Sequence, residues 1–184
     1  MLKRSAGIYR SIQALRTRAR DPERWATTQA NLANVLSMIG AKEPSPEVFD
    51  EAIAVNRALA DEIGRDHDPD RWASLQNEDG YALTMAGRSE NNVARFEEAV
   101  PILREAIAVQ KKIASVPAVA FTEGSLCDVP TDLGPACKDR VLAQEAIAAC
   151  QDALVIFRDR EVDDLTAGSE KNLAEAQALL AGLN

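Results

Sequence analysis

Asp66-His67-Asp68-Pro69-Asp70 sets an imidazole among carboxylates, a mixture that could hold a metal ion or move a proton. His67 is the chain's one histidine, and no Cys-x-x-Cys pair accompanies it, so the ligand spacing of a zinc site is missing. Asp68 has another task, since an aspartate directly before a proline is the pattern of a helix N-terminus. The stretch therefore reads as a solvated connection. Glu97-Glu98 and Asp163-Asp164 are adjacent in sequence, so on a helix they diverge and make no paired-carboxylate site. A Gly-rich phosphate loop, a Gly-x-Ser-x-Gly elbow and a cysteine with a placed histidine are all absent. These residues point away from an enzyme, and no cofactor or metal is expected.

The three cysteines divide into a pair and a single residue. Cys127 and Cys137 flank Pro130 and Gly134, and a bond between them would close a short loop. Such a bond contributes on the order of 2–3 kcal/mol through loop-closure entropy. The other reading is two reduced thiols, since the chain opens with no secretion signal. The expected location is cytoplasmic, or periplasmic or secreted if Cys127 and Cys137 are bonded. Cys150 reads as a small buried side chain on a helix.

What must position these residues is a repeat. Asp21-Pro22-Glu23-Arg24-Trp25-Ala26 returns 47 residues later as Asp68-Pro69-Asp70-Arg71-Trp72-Ala73. Aligning 21–63 with 68–110 without a gap gives 14 identities in 43 positions. The register reaches further: Gly40 and Gly87 are followed by Gly134, Glu98-Ala99 by Glu145-Ala146, and Asn31-Leu32-Ala33 by Asn172-Leu173-Ala174. A fixed period of this size marks stacked units that bury their apolar faces against one another. The chain divides into a half unit (1–20), full units at 21–67 and 68–114, a degenerate unit at 115–161 and a closing half unit at 162–184. No linker separates them, so 1–184 reads as one domain.

Each unit reads as two helices. Asp21-Pro22 and Asp68-Pro69 begin the first helix, and Trp25, Leu32, Leu36 and Ile39 keep helical spacing as far as Gly40, a residue suited to a left-handed C-terminus. Ser45-Pro46 starts the second helix, which runs through Phe49, Ala52, Ile53 and Leu59 to Gly64. Ser45, Asn92 and Asp139 share one register position, and all three are capping types. No period-two alternation signals a strand. In the third unit, Gly124 and Pro130 fall where the first helix should continue, which predicts a helix broken between them.

Leu32-Ala33, Leu36, Gly40, Ala52 and Leu59-Ala60, repeated at Gly80, Leu83, Gly87, Ala99 and Ala106, resemble the small-and-large pattern of tetratricopeptide repeats. The Trp-Ala-x-x-Gln stretch is similar to the longer variant common in bacterial proteins. The period of 47 departs from the usual one, Asp79 stands where leucine is expected, and Pro101 lies inside a second helix. The resemblance implies an all-α solenoid of stacked antiparallel helix pairs wound as a right-handed superhelix, with the first helices lining a concave face. It implies a noncatalytic scaffold that binds a protein or peptide. Carried onto this chain, the inward positions are Thr27, Ala30, Asn34, Ser37 and Met38 in the first full unit, and Ser74, Asn77, Tyr81, Thr84 and Met85 in the second. The alternatives are a self-associating structural module, as a homo-oligomer through the apolar faces of its exposed half-unit ends, a repeat fragment of a larger signalling protein, and, behind both, an enzyme subunit.

Composition narrows the partners. The net charge of −8 disfavours nucleic acid, and no apolar run approaches the roughly 20 residues needed to span a bilayer. The charge is uneven: residues 1–20 carry +6 with no acid, and the rest of the chain carries −14. The basic end reads as the polar face of a second helix; the alternatives are a transit peptide or lipid-surface helix, and docking on an acidic surface of another copy or a partner.

Overall fold

The computed structural model describes residues 1–133 and 139–183. Among them are eight helices and no strand: α1 (Leu2–Leu15), α2 (Pro22–Lys42), α3 (Pro46–Ile63), α4 (Pro69–Glu90), α5 (Val93–Lys112), α6 (Val116–Leu133), α7 (Arg140–Asp159) and α8 (Asp163–Gly182). The starts follow from the capping chemistry. Asp21 accepts from Arg24 N and Asp68 from Arg71 N, each at 3.1 Å and each with proline in the first turn. Ser45, Asn92 and Asp139 cap α3, α5 and α7 in the same way. Gly64 closes α3 at φ 72°, as its type allows.

Each helix packs on the next in sequence, giving an all-α, solenoid-like stack. Two layers differ in their spacing. In the layer of α2, α4, α6 and α8, α6 touches both α4 and α8. In the layer of α1, α3, α5 and α7, long side chains bridge between helices. Arg10 Nε donates to Glu51 at 2.6 Å, Arg57 Nη2 to Glu98 at 2.7 Å, and Arg104 Nε to Glu145 at 2.9 Å. These three pairs repeat at the 47-residue period. The core between the layers is built from Leu32, Leu36, Leu59, Leu83 and Leu103, all fully buried. Each contributes about 2 kcal/mol relative to exposure.

Three expectations need correction. Gly40 and Gly87 do not end their helices: α2 continues to Lys42 and α4 to Glu90. The glycines are there for close approach, because a Cβ at Gly40 would lie 2.7 Å from the Phe49 ring and one at Gly87 would lie 2.9 Å from the Phe96 ring. Nor is α6 broken. It passes through Gly124 and Pro130 to Leu133, because burial of Ala120, Leu126, Cys127 and Val129 outweighs the local cost of the two breakers. Pro101 is likewise carried inside α5.

The third correction follows from the second. Cys127 is bonded to Cys150, not to Cys137, which lies outside the described residues. An unbroken α6 turns Cys127 inward against α7, where both cysteines are fully buried. Register explains the pairing. One period earlier, the same two positions are Gly80 and Leu103, where a Cβ on the glycine would lie 2.5 Å from leucine Cδ2. The disulfide occupies a point where the two helices of a unit approach closely, with Cα atoms 5.1 Å apart.

Candidate functional site

The spacing of the two layers opens a groove of about 900 Å³ along the layer of first helices. Asn34, Ser37 and Met38 of α2 line it, followed by Asn77, Glu78 and Tyr81 of α4, then Phe121, Gly124, Ser125 and Asp128 of α6. Asp164, Leu165, Gly168, Ser169 and Asn172 of α8 complete the wall, with Phe49, Ala52 and Phe157 of second helices and Ala82 as the floor. Met38, Tyr81 and Phe121 are exposed there at 52%, 43% and 49%. Phe121 leans on the buried Phe157 with ring centroids 5.6 Å apart, which fixes its orientation.

Asn34, Ser37, Met38, Asn77 and Tyr81 come together as the inward frame implied. The others do not join them. Thr27 and Ser74 are outside the groove, their hydroxyls donating back to Glu23 O and Asp70 O, each at 2.9 Å. Thr84 is buried and donates to Gly80 O, so it presents no surface. Met85 rests partly buried on the core, and Ala30 does the same. Thr84 differs from its counterpart Ser37 because α4 is packed against α6 as well as α3 and α5, which closes a position that stays open on α2.

The frame held more than was carried from it. Asn34, Tyr81 and Asp128 occupy one register position, and Glu78, Ser125 and Asn172 occupy another. Phe121 and Gly168 fall in register with Thr27 and Ser74, so the inward frame extended into α6 and α8 finds them even though its α2 and α4 members lie outside the groove.

The electrostatics are one-sided. Glu78, Asp128 and Asp164 line the groove, and among the described residues no lysine, arginine or histidine does. Asp128 accepts a hydrogen bond from Asn172 Nδ2. Burial alone pushes the Glu78 carboxyl above its ordinary range. Asn77 Oδ1 is shielded from solvent and has no hydrogen-bond partner among the described residues. Behind the groove, the buried Asp79 accepts from Arg57 Nε at 2.9 Å.

His67 is exposed in the turn before α4, apart from the groove. Among the described residues no three His, Cys, Asp or Glu side chains are grouped to hold a metal ion, and no helix is long and apolar enough to cross a membrane. Trp25 is buried and Trp72 half-buried, with the guanidinium of Arg18 5.9 Å and that of Arg65 5.4 Å from their respective ring centroids, so both rings belong to the framework. No family model matches the chain, and no curated protein matches it.

Proposed function

We propose that the chain is a noncatalytic, tetratricopeptide-type scaffold that binds a segment of a protein or peptide in the groove of α2, α4, α6 and α8. The observation that carries this reading is the groove itself. It is continuous across four helices, and it mixes exposed Met38, Tyr81 and Phe121 with the amides of Asn34 and Asn77. Exposed apolar side chains gathered in one concavity are a feature of binding surfaces, and amides beside them suit an extended backbone.

The test is selection of binders from a displayed random-peptide library, followed by the variant Asn34→Ala/Asn77→Ala/Tyr81→Ala. Asn34 and Tyr81 are exposed and Asn77 Oδ1 has no partner to lose, so the melting curve should stay nearly unchanged while capture disappears. Selected peptides that bind the triple variant as well as the parent would remove the groove as the site.

Self-association through the basic end has less support. Lys3, Arg10 and Arg18 are already paired with Glu43, Glu51 and Glu62 of the same chain. The Cys127–Cys150 bond favours an oxidising compartment over the cytoplasm. Alkylation of thiols at the moment of cell lysis should leave both cysteines unlabelled; full labelling would return the protein to a reducing compartment.

A further inference from the structure

Three carboxylates of this chain that sit among or behind packed helices show burial raising their proton affinity: Glu78, Asp79 and Glu123. Asp79 is answered by Arg57, and Glu123 by Lys111 Nζ at 2.7 Å. Glu78 has no hydrogen bond or ion pair among the described residues, and it is the one that opens into the groove. Asp164, farther along the wall, also has none. A half-buried carboxylate without a countercharge is costly to the free protein, and the cost falls when a ligand brings a cation to it.

We propose that the groove takes a cationic, amphipathic segment of a partner protein, in which lysine or arginine alternates with large apolar side chains; this rests on the reading of the groove as the binding surface. Charge complementarity identifies the occupant. An ammonium or guanidinium group reaches Glu78 or Asp164, while its methylene stem lies on Tyr81 or Phe121, whose exposed rings attract cations. The apolar neighbours of the cation fill the space over Met38 and Phe157. Asn77 Oδ1 is placed to accept a backbone N–H. An acidic segment would meet like charge on α4, α6 and α8. The −14 carried by the residues after the first 20 adds long-range attraction for a basic partner.

The experiment titrates the full chain against three fluorescein-labelled synthetic peptide sets that share one apolar pattern and differ only in lysine/arginine, serine/glutamine or glutamate at the polar positions. The cationic set should bind most tightly, and its affinity should fall as salt is raised. Glu78→Gln should weaken that binding about tenfold, the order expected when a shielded charge pair loses one member. Glu97→Gln, which removes an equal charge from the exposed face of α5, controls for net charge and should change affinity little. Glu78→Gln relieves a burial penalty, so the variant should fold, and a thermal melt checks that it does. Equal or tighter binding of the neutral or acidic set, or equal effects of the two substitutions, overturns the proposal. If library-selected ligands are neutral or acidic yet lost in the triple variant, this inference falls while the binding role stands. If no peptide binds, both fall.

Discussion

Glu78 and Asp79 are neighbours in the chain with different surroundings. Asp79 replaces a core leucine of the repeat and is tolerated because Arg57 reaches it from α3, with Glu98 holding the other side of the same guanidinium. That arrangement was visible in sequence only as an oddity, since nothing in the period links positions 57 and 79. Glu78 has no such partner, and burial holds its carboxyl above the ordinary range. The folded chain therefore binds this proton more tightly than the unfolded chain does. Stability from the group is fully present below the unfolded pKa and is lost as pH rises through the displaced one. Glu78→Gln should consequently melt at a higher temperature than the parent at neutral pH, with the gap closing as pH falls into the carboxylate range. Identical melts at neutral pH, or a gap that grows in acid, would show that Glu78 is adequately solvated. A stabilising substitution that also weakens ligand binding is the pattern expected of a functional residue.

Helix number and order were legible from the repeat, because the Asp-Pro starts and the capping residues Ser45, Asn92 and Asp139 recur in frame, each placing a side-chain acceptor where the first free N–H groups point. Helix ends and breaks were not. Gly40 and Gly87 look like terminators by type, yet their place is decided by Phe49 and Phe96 pressing on them from the next helix. Gly124 and Pro130 look like breakers, but they sit in a helix buried on several sides. The disulfide was misassigned for the same reason: nearness in sequence suggested Cys137, whereas the Gly80–Leu103 register pointed to Cys150. These glycines differ in what a methyl group would meet. At Gly80 a Cβ would lie 2.5 Å from the fully buried Leu103, and at Gly124 it would lie 3.6 Å from Phe157, an ordinary contact. Gly80→Ala should therefore destabilise by roughly 1–3 kcal/mol through overpacking. Gly124→Ala should be neutral or stabilise by up to about 1 kcal/mol from helix propensity. Chemical denaturation of both variants checks the contrast. Equal stabilities would mean that the α4–α5 crossing adjusts to the added carbon.

At the scale of the whole chain, α6 packs on both α4 and α8 in the groove layer, while in the other layer arginine–glutamate pairs join α1 to α3, α3 to α5 and α5 to α7. The sequence revealed half of this device. Glu98 recurs in the sequence as Glu145, but the meeting of each such glutamate with an arginine 41 residues earlier depends on how successive units stack. Each pair is largely exposed, so each contributes only about 0.2–1 kcal/mol to stability and is screened by salt. We expect their effect on shape to exceed their effect on stability, because among the described residues no backbone packing comparable to α4–α6 or α6–α8 joins α1, α3, α5 and α7 to one another. Arg10→Gln/Arg104→Gln tests this while sparing Arg57, whose hold on Asp79 would confuse the result. The double variant should melt close to the parent. Small-angle scattering should show a changed radius of gyration, and groove ligands should bind more weakly without any groove residue having been altered. Raising salt on the parent protein should move the scattering curve in the same direction. A scattering profile indifferent to both the substitutions and the salt would assign the curvature to packing of the inner layer alone, leaving the arginine–glutamate pairs as surface decoration.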